Sequence, residues 1–274
     1  MFDLEPAAMD RLSLNQITVD QWGLGEVING CIRANVGWIG PWRHKVQEVG
    51  LPAAAQMVSD SGLKVSSYCR GGFFPALEDK VAARHDDNCR AVDEAVALGT
   101  DVLVLVCGPS VDKDLKAARR MVVEGIAELI PHARAAGVRL GIEPLHPMFA
   151  GDRSVVVTLG QANDLASNFS SDDVGVIVDV YHVWWDPHLY DEIKRATGRI
   201  LGFHVSDWMV PTKELMTGRG LMGDGVIELR KIRGAVEVAG YSGPIEVEII
   251  NRGLWSRPGD EVLRAVVSRY PEHV

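Results

Sequence analysis

The sequence predicts an α/β fold in which eight strand–helix units close into a (β/α)8 TIM barrel. Three observations carry that reading. Short β-branched apolar runs alternate with Ala- and charge-rich stretches along the chain. Helical stretches stop at Gly62, Gly99, Gly137, Gly198 and Gly240, and each glycine is followed within a few residues by the next apolar run. Eight strands in 274 residues give one unit per about 34 residues, the size of a strand with its return helix.

The elements follow in order. LSLNQIT at 12–18 is the first strand, and a short run at 36–39 supplies the second. A helix at 52–61, with Pro52 in its first turn, leads into LKVSS at 63–67, the third strand. Residues 77–98 form the next helix and DVLVLVC at 101–107 the fourth strand, nearly all apolar as a strand covered on both faces should be. The helix 115–136 precedes VRLGIE at 138–143, and 154–168 precedes VGVIVD at 174–179. The helix 189–197 then leads to ILGFHV at 200–205, 227–239 leads to PIEVEI at 244–249, and 259–269 closes the chain. No Pro- or Gly-rich linker interrupts this succession, so residues 1–274 read as one domain. An open doubly wound sheet is the structural rival. It would carry a phosphate loop after its first strand, where NQITVDQWGLG stands instead, and GWIG and CRGG match neither a dinucleotide fingerprint nor a Walker loop.

Composition excludes several functions. Lys and Arg total 28 against 37 Asp and Glu, a net charge of -9 that opposes counterion-driven binding to nucleic acid. Cys31, Cys69, Cys89 and Cys107 form no CxxC pair and read as reduced thiols rather than a zinc knuckle. No apolar run approaches the length of a membrane span, and MFDLEPAAMD lacks the basic and apolar segments of a leader, so a cytoplasmic location is expected.

Function in a barrel sits at the C-terminal ends of its strands. The fifth strand ends at Glu143, the sixth at Asp179, the seventh contains His204, and the eighth ends at Glu248. Singly, each has a plain alternative, as a cap, a satisfied core group or a salt bridge. Together they would bring three carboxylates and an imidazole to one side of the barrel mouth, a ligand set for Mn2+, Co2+, Mg2+ or Zn2+. Glu246 alternates with Glu248 and should face the same way. Around this set stand His182, suited to a substrate oxygen, and Asp207, suited to orienting His204 or holding a second species. Arg219 is a candidate anion or hydroxyl clamp. His146, Trp38, Trp184, Trp185 and Trp208 are candidates to line the pocket, where indole faces suit the C–H surface of a sugar, although any of them could pack in the core.

The segments LGIEP, VDVYH, FHVSD, GRGLMGDG and GYSGPIEVE resemble those of the sugar (phosphate) isomerase/epimerase family with a xylose isomerase-like TIM barrel. This family holds ketose 3-epimerases, inosose isomerases and dehydratases, hydroxypyruvate isomerases and an endonuclease IV branch. The resemblance implies that Glu143, Asp179, His204 and Glu248 bind one divalent ion, with Glu248 rather than Glu246 as the ligand. It also implies that His182 and Arg219 contact substrate. The segment DWMVPTKELMTG before Arg219 is longer than in the simpler epimerases, and the chain lacks the extra histidines of the three-metal nuclease branch. The implied activity is isomerisation or epimerisation of a small sugar, keto-sugar or inosose, with Glu143 and Glu248 as catalytic groups and Mn2+ first among the candidate ions. A lyase or dehydratase using the same enediolate, and a sugar-binding barrel without turnover, are the alternatives. An unphosphorylated small-molecule substrate, no nucleic acid or membrane partner, and a homodimer or higher homo-oligomer complete the expectation.

Overall fold

Parallel strands that are covered on both faces need apolar side chains on both, and the chain supplies them: all five residues of VLVLV and all six of VGVIVD are buried. In the computed structural model, which describes residues 5–274, the strands are β1 (Leu12–Asn15), β2 (Trp38–Gly40), β3 (Lys64–Val65), β4 (Tyr68–Gly72), β5 (Val102–Val106), β6 (Arg139–Glu143), β7 (Val174–Asp179) and β8 (Ile200–Val205). Two short strands, β9 (Asp207–Trp208) and β10 (Arg219–Gly220), form an antiparallel pair in the loop beyond β8, and β11 (Ile245–Val247) completes the set. Part of the MFDLEPAAMD segment read above for a leader, its first four residues, lies outside the described residues.

The sheet runs β3-β2-β1-β11-β8-β7-β6-β5-β4, with parallel pairing throughout. Its two ends are halves of one stave. β3 pairs with β2, β4 pairs with β5, and only Ser66 and Ser67 separate them. A parallel bridge between Trp42, two residues past β2, and Cys69 in β4 spans the split and brings the barrel near closure. The third strand expected at 63–67 is therefore corrected to a split stave that runs on to Gly72, a segment whose YCRGG sequence hides its strand character behind an Arg and two glycines. The first strand stops at Asn15, whose side chain accepts the amide of Ile17 and turns the chain into a 3-10 helix over Gln16–Val19.

Helices α1 (Leu24–Arg33), α2 (Arg43–Val49), α3 (Leu51–Ser61), α4 (Val81–Ala97), α5 (Leu115–Ala136), α6 (Leu159–Ala166), α7 (Val180–Val183), α8 (Leu189–Arg195), α9 (Leu229–Val238), α10 (Arg252–Trp255) and α11 (Gly259–His273) accompany the strands. α5 matches its expected bounds because both ends are signalled: Asp114 accepts the amides of Lys116 and Ala117, and Gly137 takes a φ of 73°. α6 starts five residues later than expected. Ser154 bridges to Gly108, and Thr158 is the cap, accepting from Gln161. No helix among the described residues is long and apolar enough to cross a membrane.

Candidate metal centre

Adjacent strands in register bring the expected ligands together. Asp179 at the end of β7 pairs with His204 in β8, His204 pairs with Glu246 in β11, and the amide of Glu248 donates to the carbonyl of Val205. Glu143 ends β6. One ligand atom from each of Glu143, Asp179, His204 and Glu248 lies within 4.8 Å of all the others, and all four residues are buried.

Their spacing is that of ligands around an ion rather than of direct hydrogen bonds. His204 Nδ1 lies 3.5 Å from both Glu143 Oε1 and Glu248 Oε2, where a hydrogen bond would be close to 3 Å or less. Two ligands bonded tetrahedrally at about 2.1 Å stand about 3.4 Å apart. Both ring nitrogens of His204 are buried without a hydrogen-bond partner, a costly state unless an ion takes one of them. The residues therefore fit a divalent cation, held by Nδ1 and the three carboxylates.

On the far side of the ring, His204 Nε2 faces Glu246 Oε2 at 3.7 Å. Glu246 is itself fixed by Asn15 Nδ2 at 2.6 Å, Ser66 Oγ at 2.7 Å and Ser67 Oγ at 2.9 Å. Gly40 makes room for it, since a Cβ there would overlap the Glu246 carboxylate. Glu246, not Asp207, is the carboxylate that faces the far side of the histidine ring.

The electrostatics are those of a dense buried cluster. Burial raises the Asp179 carboxyl, but the Arg219 guanidinium, then His182 and His204, outweigh it and hold the group below its ordinary value. Burial pushes Glu143 up, and Glu248 adds to this while His204 opposes it. Burial lowers His182 to about 3, so its imidazole is neutral at physiological pH. Arg219 donates through Nη1 to Asp179 Oδ2 at 2.8 Å and to Glu248 Oε2 at 3.2 Å, and its plane lies 4.5 Å from the Tyr181 ring centre.

A cavity of about 210 Å³ opens above the cluster, and its lining includes Glu143, Glu248, His182 and Arg219. Asp179 and His204 lie outside that lining. Six residues expected around the substrate, Trp38, His146, Trp184, Trp185, Trp208 and Asp207, do not line the cavity. Trp38 opens β2, at the end of the strand remote from the site, with Nε1 donating to Asp10 O. Asp207 is consumed by the loop beyond β8, accepting the amides of Trp208, Gly223, Gly225 and Ile227. His146 stacks on Trp208, caps the short turn after it, and reaches the site only through its backbone, whose N–H donates to His182 Nδ1 at 3.2 Å. Trp184 packs against Trp208.

In their place the cavity wall carries Trp42, Phe149, Trp255, Arg70 and Arg153. Trp42 sits two residues past the C-terminal end of β2, the position from which a barrel side chain reaches the mouth. Trp255 comes from the short α10, and its Nε1 donates to Ile17 O.

Known proteins share this architecture. A solved structure, protein SMc04130 from Sinorhizobium meliloti 1021, is 50% identical and superposes with a TM-score of 0.94, covering 97% of this chain and 98% of that one. A 3-dehydroshikimate dehydratase from Pseudomonas putida is 28% identical over 215 residues, 74% of this chain and 32% of the dehydratase. An inosose isomerase from Bacillus licheniformis is 27% identical over 173 residues, 58% of each chain. The chain thus spans a third to three-fifths of the length of these two relatives. The pattern of the xylose isomerase-like TIM barrels matches residues 36–269, most of the sequence, and the chain belongs to that family.

Proposed function

We propose that the protein is a divalent-metal-dependent isomerase or epimerase of a small polyol-ketone, a keto-sugar or an inosose, working by proton transfer next to a carbonyl. The observation that carries this reading is the position of Glu143 and Glu248. Both belong to the four-residue cluster, and both also line the cavity above it. Two carboxylates from non-adjacent strands can flank a substrate carbon, one removing its proton and the other returning one.

Glu143, Asp179, His204 and Glu248 would hold the ion, with Mn2+ the first candidate. When bound, a divalent ion polarises a carbonyl oxygen and its neighbouring hydroxyl and lowers the cost of the enediolate. Glu246 keeps the His204 ring turned toward the cluster. Arg219 offsets the negative charge of Asp179 and Glu248. His182 presents a neutral ring to the cavity and donates to the oxygen on which charge develops. Trp42, Phe149 and Trp255 supply apolar faces and limit water at the reacting carbon. Cytoplasmic location and a homodimer or higher homo-oligomer belong to the same proposal.

A lyase is the second reading, favoured by the likeness to a dehydratase. The same carboxylates serve it when the enediolate expels a β-hydroxyl instead of being reprotonated. One experiment separates the readings. The metal-loaded protein is incubated in D2O with a panel of ketoses and inososes and followed by proton NMR and mass spectrometry. Deuterium gained at the carbon beside the carbonyl, with carbon skeleton and oxygen count intact, supports the isomerase. Loss of water supports the lyase, and no exchange with any member of the panel sinks both.

A further inference from the structure

The cavity wall carries two guanidinium groups that the proposed chemistry does not use. Arg70 follows Cys69 in the split third stave, and Arg153 lies in the loop after β6. Two other arginines near the site are engaged. Arg219 is bound to Asp179 and Glu248, and Arg43 to Asp87 and Glu94.

Arg70 is different. Among the described residues it makes no hydrogen bond and no ion pair, and it is held by its face: the guanidinium carbon stacks 4.0 Å from the centre of the Phe73 ring. Stacking fixes the plane of a guanidinium while leaving its in-plane N–H donors free. Arg153 is anchored by its backbone, with N donating to Phe149 O and O accepting from Gly108 N. Its side chain has only weak partners, the thioether of Met216 at 3.4 Å and an exposed Asp152 carboxylate 4.0 Å from Nε. The two cations also feel each other. Burial lowers Arg70 from its ordinary value, and the charge of Arg153 lowers it further. Two like charges gathered on one cavity wall, with donors unspent, are unfavourable until an anion lies between them.

We propose that the substrate carries an anionic group, a carboxylate or a phosphate, which Arg70 and Arg153 clamp on the cavity wall while its carbonyl end meets the Glu143–Glu248 cluster. This rests on the polyol-ketone reading above and narrows it to acid-bearing substrates. Guanidinium forks match both oxyanions in geometry, so the shared chemistry is an oxyanion beside a hydroxylated carbon frame. A divalent ion and Arg219 would set three positive charges against the four buried carboxylates Glu143, Asp179, Glu246 and Glu248, so one negative charge remains in the cluster against two positive charges on the wall.

The test is calorimetric titration of three ring-matched probes: uncharged myo-inositol, inositol 1-phosphate and the carboxylated polyol quinate. Each is titrated into wild-type protein, Arg70→Gln, Arg153→Gln and the charge-retaining Arg70→Lys, both metal-loaded and metal-stripped. The expected result is that at least one anionic probe binds wild-type protein about tenfold or more tightly than myo-inositol. Each Gln variant should lose about tenfold for that probe and leave myo-inositol unchanged, and Arg70→Lys should fall between. Whichever anion binds more tightly identifies the source. Equal affinity for charged and uncharged probes, no binding of either anion, or Gln variants that keep the anion's affinity would each overturn the proposal. Metal content measured on the same samples keeps the two readings apart. A protein that retains no ion fails the metal-dependent reading, while an Arg-dependent preference for anions in stripped protein still stands.

Discussion

Arg219 Nη2 and His182 Nε2 stand 3.1 Å apart, and the His146 backbone N–H points at the other ring nitrogen, Nδ1, at 3.2 Å. Both neighbours are obligate donors and a neutral imidazole offers one lone pair, so the ring accepts from one of them and turns its own N–H toward the other. Asp179 Oδ2, 3.6 Å from Nε2 and bound to Arg219 Nη1, stands beyond hydrogen-bond distance. An imidazole N–H left without an acceptor at the cavity edge marks a place for an oxygen that carries negative charge in the transition state.

His182→Ala should therefore lower kcat by about a hundredfold to a thousandfold, the usual cost of one lost donor to a developing oxyanion. KM should move much less, and metal content should stay the same. His182→Gln, which keeps an N–H donor, should recover part of the loss. Steady-state kinetics with metal analysis on the same samples checks this, and a variant that loses its ion would place His182 among the ligands instead.

Glu246 and Glu248 alternate on one strand, and their roles separate cleanly by substitution. Glu248→Gln removes a ligand and should abolish stoichiometric metal retention. Glu246→Gln touches no ion, yet it weakens the acceptor behind His204 and should lower metal affinity by about tenfold to a hundredfold. Gly40→Ala, whose new methyl would strike the Glu246 carboxylate, should reproduce the Glu246→Gln loss from a residue that approaches neither ion nor substrate. Competition titration with a metal-binding dye reads all three.

The clustering of Glu143, Asp179, His204 and Glu248 was legible in the sequence because strand periodicity and strand ends are local signals. Glu143, Asp179 and His204 stand at or next to the last residue of apolar runs, and Glu248 lies one residue past its strand. The cavity wall was missed because that wall depends on how the third stave splits. CRGG was visible as a glycine-containing motif, but nothing local says that Cys69 bridges to Trp42 and turns Arg70 toward the mouth. Helices α1 and α2 were missed for a related reason. GEVING places two glycines inside α1, against its propensity, and the helix is recovered by the Glu26 carboxylate accepting the Gly23 amide. Asp207 was misread because a carboxylate near a metal histidine looks the same in sequence whether it serves the ring or a distant loop.

The Arg134–Asp173 pair gives a pH-dependent check on the scaffold. Arg134 donates through Nε and Nη2 to the two Asp173 oxygens at 2.9 and 2.6 Å. These bonds hold the Asp173 carboxyl below its ordinary value. A group depressed in the folded state stabilises above its unfolded value of about 3.9 and loses that contribution as pH falls through the folded value. Arg134→Gln should be less stable than wild type at neutral pH, and the gap should close in acid. Urea midpoints measured across that range read the effect, and a gap that stays constant with pH would assign it to packing.

Asp207 supports a loop rather than a ligand, and its removal should show that. Its two oxygens take four amides, those of Trp208, Gly223, Gly225 and Ile227, at distances between 2.9 and 3.0 Å. The residue is 1% exposed, so water cannot replace it without opening the loop. Asp207→Ala strands these donors and should cost about 3 kcal/mol of stability. Asp207→Asn, which keeps one accepting oxygen, should cost less. The β10 residue Arg219 lies in the same excursion, and its pairing with Trp208 ties it to the segment that Asp207 holds. Loosening the loop should therefore weaken the grip of Arg219 on Asp179 and lower kcat, while metal affinity, set by β6, β7, β8 and β11, stays close to wild type. A loss of metal equal to that of Glu248→Gln would instead return Asp207 to the metal site.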